Sequence, residues 1–188
     1  MKLEYEHGDC KIYHGDAGNL NLIPDKSISL IATDPPYGIN YISNRRRVKH
    51  KPITEDEYFS YILMTKFLHE ADRVLSDSGA LYIFTTWKAL PDLMELINSE
   101  CRSLKLGNNL VWIKNNWTAG SLKSDWANRT EIIIFARRKN FIFNGSRPNN
   151  VLCFKRENSK THPTEKPVSL LEYIISKSCP LGGVVLDC

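Results

Sequence analysis

The chain has 188 residues, of which 42% are hydrophobic and 24% charged, and its formal net charge is +4. This amount of apolar material closes one ordinary core and leaves little for a second. No apolar run approaches the roughly 18 to 20 residues of a membrane helix, and the first residues lack the order of a signal peptide. We therefore expect a single cytoplasmic domain over residues 1–188 with no membrane partner.

Short β-branched runs alternate with helical periodicity, a pattern that predicts an α/β domain with a mostly parallel sheet. Strands are predicted at residues 10–14, 28–33, 80–86, 109–114, 131–136 and 184–188. Helices are predicted to begin at a capping box formed by Thr54 and Glu57, at Pro91 and at Pro167. The five cysteines are scattered and include no Cys-x-x-Cys pair, so we expect reduced thiols and no metal site.

The strand predicted at residues 28–33 ends abruptly at Asp34-Pro35-Pro36-Tyr37. In open α/β sheets, ligands bind beyond the carboxyl ends of the strands. Two prolines hold such a turn rigid and remove two amide donors, so the Asp34 carboxylate and nearby carbonyls remain as acceptors for an amino group. Tyr37 adds a flat face on which a planar ring can stack. An ordinary turn with an exposed Asp and a packed Tyr is the alternative.

The basic residues are unevenly distributed. Residues 38–51 contain five Lys or Arg and no acidic residue, and residues 102–166 contain thirteen against four. This asymmetry indicates a surface that faces a polyanion. A solvated basic face without function is the alternative.

The chain resembles the amino-methyltransferases that act on exocyclic nitrogens of DNA bases with S-adenosylmethionine. Asp-Pro-Pro-Tyr at 34–37 looks like their catalytic motif, and His-Pro-Thr-Glu-Lys-Pro at 162–167 looks like a cofactor-side motif. Their order is that of the subgroup in which the catalytic motif precedes the cofactor glycine loop. The resemblance implies a Rossmann-like methyltransferase fold. It also implies that Asp34, Pro35, Pro36 and Tyr37 are catalytic, with Tyr37 stacked on an extruded base.

The same resemblance implies a cofactor site for S-adenosylmethionine. Its expected residues are Asp16, Asp34, Thr164, Lys166, Pro167 and Asp187. Lys166 would meet the cofactor carboxylate, beside a helix N-terminus whose dipole favours negative charge. The alternatives are an Asx turn for Asp16 and a solvated side chain for Lys166.

Two segments are candidates for binding double-stranded DNA. The first is a basic loop, residues 38–54, whose cations can neutralise phosphates. The second is a polar and aromatic loop with the composition of base contacts. The residues concerned are Arg45, Arg46, Arg47, Lys49, Lys51, Asn115, Asn116 and Trp117. Residues 137–161 occupy the place of a short target-recognition segment in this subgroup.

In that subgroup the last strand, here residues 184–188, continues into a glycine-rich loop, a helix and a strand that ends in an acidic residue. None of these follows Cys188, so we expect a methyltransferase fold whose C-terminal part is missing. We expect these 188 residues alone to bind S-adenosylmethionine poorly.

Asp at the head of the tetrapeptide favours an adenine-N6 DNA methyltransferase, since the cytosine-N4 enzymes more often have Ser there. Cytosine-N4 transfer is the alternative within the class, and a catalytically silent DNA-binding remnant is the alternative outside it. A homodimer and a restriction endonuclease partner are compatible with this interpretation.

The basic loop gives a first testable prediction. Replacing Arg45, Arg46 and Arg47 by Ala should weaken DNA binding across all sequences, because phosphate contacts carry no sequence information. Log affinity should depend less steeply on log salt, by up to about 0.9 per lost contact. The measurement is fluorescence anisotropy at several salt concentrations, and an unchanged slope would return these residues to a solvated face.

Overall fold

The structure is a computed structural model that describes residues 1–35, 57–116, 123–124, 126–156 and 165–188, the side chains of residues 57–60 excepted. Within these ranges, the helices are all too short or too polar to cross a membrane. The elements in chain order are β1 (Lys2–His7), β2 (Cys10–His14), β3 (Ile28–Thr33), α1 (Glu57–Val74), β4 (Leu75–Thr85), α2 (Leu90–Glu100), β5 (Lys105–Leu106), β6 (Leu110–Ile113), β7 (Thr130–Arg137), β8 (Val151–Cys153), α3 (Val168–Ser178) and β9 (Val185–Leu186).

The main sheet has the strand order β8-β6-β7-β4-β3-β9, with β5 also paired to β7. The pairs β3–β4, β3–β9 and β6–β8 are parallel, whereas β7 runs antiparallel to β4, β5 and β6. Every described strand of this sheet except β7 therefore points the same way. The prediction of a mostly parallel α/β sheet is confirmed.

The sheet is buried on both faces, as the apolar runs of its strands require. In β4, Leu81 and Ile83 pack with α1 and α2, while Tyr82 and Phe84 pack on the opposite face, against α3. Side chains alternate between the faces because the strand repeat is two residues. The domain is thus a three-layer α/β arrangement around this sheet.

The first two strands form a separate antiparallel hairpin. The strand predicted at residues 10–14 is confirmed as β2, but it pairs with β1 rather than with the main sheet. Ten of the eleven residues of β1 and β2 are solvent-exposed, and no residue of either strand is buried. Leu3 and Tyr5 alternate with charged residues in β1, a signal for a strand that the sequence predictions did not use.

Three further differences concern short or irregular strands. The strands β5 and β8, of two and three residues, were not predicted because such short segments carry no periodic pattern. The strand β4 begins at Leu75, five residues before the predicted start at residue 80, and its register with β3 shifts between Leu75 and Ala80. The residues between these two therefore bulge from a strand that resumes its pairing after them.

A largely buried arginine ties the end of β7 to the end of α1. The Arg138 guanidinium donates to the Asp72 carboxylate at 2.8 Å, to the Asp72 carbonyl and to the Leu75 carbonyl at 3.1 Å. Its side chain is 8% exposed. These carbonyls lie where α1 turns into β4, so one side chain satisfies acceptors that the helix leaves without partners.

Replacing Arg138 by Ala should lower the free energy of unfolding by about 3 kcal/mol, since the partly buried Asp72 carboxylate loses its cationic partner and two carbonyls lose a donor. Arg137→Ala is the matched control, because Arg137 has no ion-pair partner among the described residues. That variant should lose about 1 kcal/mol or less. Urea denaturation followed by circular dichroism compares the two, and equal losses would contradict this role of Arg138.

Candidate active site at the carboxyl edge of the sheet

The ionic side chains of interest collect at the carboxyl edge, the edge at which β3, β4, β6, β8 and β9 end and at which β7 begins. Asp34 directly follows β3, and Lys114 directly follows β6. Glu131 stands at the start of β7, opposite Trp112 of β6. Lys166 reaches the same edge from the segment that precedes α3. Four charges from four parts of the chain thus come together.

The predicted catalytic residue Asp34 is in contact with the predicted cofactor residue Lys166. The Lys166 Nζ atom donates to Asp34 Oδ2, and the two side chains are 12% and 30% exposed. The ammonium also lies 5.2 Å from the centre of the Phe84 ring, a favourable position for a cation. The two motifs therefore meet through one ion pair, between residues that are 132 apart in sequence.

Glu131 is a member of this site that the sequence analysis missed. Its Oε1 atom lies 3.1 Å from Lys166 Nζ, and its Oε2 atom lies 2.6 Å from Lys114 Nζ. The Glu131 side chain is only 14% exposed. The available signal was an acidic residue at the head of an otherwise apolar strand, in a segment with thirteen basic residues and four acidic ones.

Asp187 lies near this edge, after β9. Burial raises the pKa of its carboxyl group above the usual value, against the opposing effect of a hydrogen bond from Thr33. Part of the residue's surface remains accessible, but protein atoms surround the carboxyl group closely enough to desolvate it. The Thr33 hydroxyl donates to the Cys188 carbonyl at 2.5 Å, which joins the end of β3 to the residues after β9.

A small apolar cavity of about 100 Å³ lies beside Asp34. It is lined by Ala17, Thr33, Pro35, Leu63, Met64, Phe67 and Cys188. Asp16 approaches it through its neighbour Ala17, but the Asp16 carboxylate accepts the Gly18 amide at 2.8 Å. This is the Asx turn of the alternative interpretation. Thr85, at the end of β4, has a buried hydroxyl with no hydrogen-bond partner within the described ranges.

The predicted DNA-binding residues that can be located are Asn115 and Asn116. Asn115 accepts the Arg156 amide at 2.8 Å, and Asn116 is exposed two residues beyond Lys114. Both follow β6, so they lie at the carboxyl edge. Ten further residues named in the sequence predictions, for DNA binding or for other roles, lie outside the described ranges. They are Pro36, Tyr37, Arg45, Arg46, Arg47, Lys49, Lys51, Thr54, Trp117 and Thr164.

The segment predicted to recognise the target, residues 137–161, is divided between two edges. Arg137 is the last residue of β7 and pairs with Ala80 of β4, so the residues after it lie at the edge opposite Asp34. A groove of about 760 Å³ opens there, and Arg137, Arg147 and Lys177 line part of it. Within the described part of this segment, residues 154–156, which follow β8, return to the carboxyl edge.

No cluster of three or more metal-ligating side chains occurs in the part of the chain that the structure describes. The ionic groups at the carboxyl edge instead alternate in sign and pair with one another. The arrangement can hold a carboxylate or an amino group by hydrogen bonds. It presents an acceptor, Asp34, on a rigid strand end beside an apolar cavity.

Comparison with known proteins connects this site to DNA modification. A family model described as DNA methylase matches residues 28–151. The chain is 28% identical to the DNA adenine methyltransferase YhdJ of Escherichia coli, with 94% of this chain and 69% of that protein aligned. It is 26% identical to the type II methyltransferase M.BglII from Bacillus subtilis, with 94% and 58% aligned. The chain thus spans less than two thirds of some of the relatives it matches.

Solved structures give the same fold. The PvuII DNA methyltransferase, described as cytosine-N4-specific, superposes with a TM-score of 0.76 over 99% of this chain and 76% of its own, at 17% identity. The M1.HpyAVI–SAM complex superposes with a TM-score of 0.66 over 93% and 79%, at 19% identity. The expected Rossmann-like methyltransferase fold is therefore confirmed. Because the family match covers well over half of its residues, including Asp34 and Glu131, the chain belongs to the DNA methylase family.

Proposed function

We propose that the protein transfers a methyl group from S-adenosylmethionine to the exocyclic N6 of adenine in double-stranded DNA. The observation that carries the proposal is the position of Asp34: in a chain of the DNA methylase family, it directly follows β3 at the carboxyl edge. Asp rather than Ser leads the tetrapeptide, which favours adenine. The E. coli relative, named a DNA adenine methyltransferase, supports the same choice.

Asp34 and the Pro35 carbonyl would accept hydrogen bonds from the target amino group. That nitrogen is conjugated with the ring and is a poor nucleophile, so alignment matters more than a strong base. Two acceptors held at a strand end favour the geometry in which its lone pair points at the methyl carbon. In the transfer, the amino nitrogen would bond to the methyl carbon as the methyl–sulfur bond breaks to leave a neutral thioether, and the nitrogen would lose one proton to water. Because the group is stacked inside duplex DNA, the base must first be extruded.

The carboxyl edge offers groups that fit the cofactor. When bound, S-adenosylmethionine supplies an electrophilic methyl group on a sulfonium. Lys166 carries the charge that complements its carboxylate, and Pro167 precedes α3 at that helix's amino end. Asp187 can accept hydrogen bonds from hydroxyl or ammonium groups, and the cavity beside Pro35 has an apolar lining for part of an adenosyl group. Asp16 and Thr164 would complete the site.

DNA is the partner that the charge distribution favours. The cations of residues 45–51 would contact phosphates, and Asn115, Asn116 and Trp117 would contact the extruded base or its neighbours. Two relatives are named type II methyltransferases, which supports a restriction endonuclease as a functional partner in the same cytoplasm. The proposal also includes a homodimer, which a measurement of the oligomeric state in solution would test.

In the complete enzyme, Asp34→Ala should reduce methyl transfer by about a hundredfold or more, because the amino group loses an acceptor that aligns it. Cofactor affinity, measured by calorimetry, should change little. Asp92→Ala is the matched control, since Asp92 is an exposed aspartate in the first turn of α2. The assay uses tritium-labelled S-adenosylmethionine and duplex DNA, and transfer near the wild-type rate by Asp34→Ala would refute the role of Asp34.

Nucleoside analysis of the labelled DNA then identifies the target base. Label in N6-methyladenine is the expected result, whereas label in N4-methylcytosine would reassign the enzyme to the cytosine class. DNA binding without transfer of label by the wild-type protein would favour the silent DNA-binding remnant instead.

A further inference from the structure

We propose that Glu131 is a positioning residue that holds the Lys166 ammonium against Asp34, with Lys114 anchoring the other oxygen of its carboxylate. This role rests on the proposed function only where it concerns methyl transfer. The placement of Lys166 is a property of the protein that can be measured separately.

The first argument is the geometry of the Glu131 carboxylate. One oxygen lies 3.1 Å from Lys166 Nζ and the other lies 2.6 Å from Lys114 Nζ. Glu131, Lys166 and Lys114 have side chains that are 14%, 12% and 14% exposed. A carboxylate engaged at both oxygens cannot rotate without breaking one contact, so it is a fixed reference point at the edge of the sheet.

The second argument concerns charge. Asp34, Lys166, Glu131 and Lys114 form a row in which negative and positive groups alternate. If Glu131 were neutral, two ammonium groups with little access to water would lie on either side of it without the intervening negative charge. Screening is weak in such surroundings, and one lysine would move away.

The third argument is the freedom of Lys166. Its backbone precedes α3 and belongs to no helix or strand, and its side chain is a flexible four-carbon stem. Glu131 belongs to β7, which pairs with β4 over six consecutive residues and with β6 over four. The rigid element therefore supplies the anchor, and the flexible side chain is the group that is held.

The test measures Lys166 directly in protein labelled with ¹⁵N-lysine. Hydrogen exchange of the side-chain ammonium groups is followed by NMR, and the Lys166 signal is assigned with Lys166→Arg. Glu131→Gln should speed exchange at Lys166 at least about tenfold, because a charge-assisted hydrogen bond is lost. Glu95→Gln is the matched control on the exposed face of α2 and should leave the Lys166 signal unchanged.

Glu131→Asp serves as a second variant if Glu131→Gln does not fold. It keeps the charge but withdraws the carboxylate by one carbon, so exchange at Lys166 should rise to an intermediate rate. Exchange within about twofold of wild type in a folded variant would overturn the proposal. A purely structural role would lower stability against urea and leave the Lys166 exchange rate unchanged.

Methyl transfer provides a separate readout. In a protein that methylates DNA, Glu131→Gln should lower kcat about tenfold with KM for DNA little changed, since the DNA contacts remain. Glu131→Asp should recover part of that loss. A wild-type protein that stays inactive at saturating S-adenosylmethionine would refute the proposed function but not the placement of Lys166, which the exchange measurement decides alone. If Glu131→Gln accelerates hydrogen exchange at Lys166 but leaves kcat unchanged, the contact between Lys166 and Asp34 does not contribute to methyl transfer. That result would overturn this part of the proposal.

Discussion

The reversed direction of β7 is the constraint on which the carboxyl edge depends. A strand parallel to its neighbours would bring its last residues to that edge, where β7 instead brings its first. Glu131, at the head of β7, thereby stands among groups that follow parallel strands. Hydrogen bonds to β4 on one side and β6 on the other hold it there. The order of charges from Asp34 to Lys114 is a consequence of strand direction.

The same sheet explains why the site is rigid. Its central strands are buried on both faces, and among the described residues the core beneath α1 and α2 and the core beneath α3 lie on opposite faces of the sheet. A side chain at a strand end is therefore fixed by packing on two sides. Phe84 shows the connection, since its ring belongs to the α3 core and its face lies under the Lys166 ammonium. Core and site share that residue.

The sequence indicated well those features that have a local cause. The strand before Asp34 could be predicted to its last residue, because an apolar run met two prolines. The helix before Cys179 could be predicted because Pro167 precedes a periodic apolar stripe. The contact between Lys166 and Asp34 has no local cause, since it depends on which strands neighbour each other. Glu131 escaped notice because a sequence pattern indicates a strand but not its direction.

A periodic pattern identifies a strand only when it covers several residues, so strands of two or three residues cannot be predicted from it. This explains why β5 and β8 were not predicted. It also explains why no strand was predicted within residues 137–161. Once β8 is seen to pair with β6, the segment divides into a part at the far edge and a part that returns to the site.

That far-edge part has a practical consequence. The turn at Gly145, which has a φ of +70° and open space around its Cα, lies between the end of β7 and the start of β8. It is separated from Asp34 by the length of the sheet. An affinity peptide or a fluorescent reporter can be inserted at such a turn. The added chain would leave the opposite edge of the sheet clear for the approach of duplex DNA.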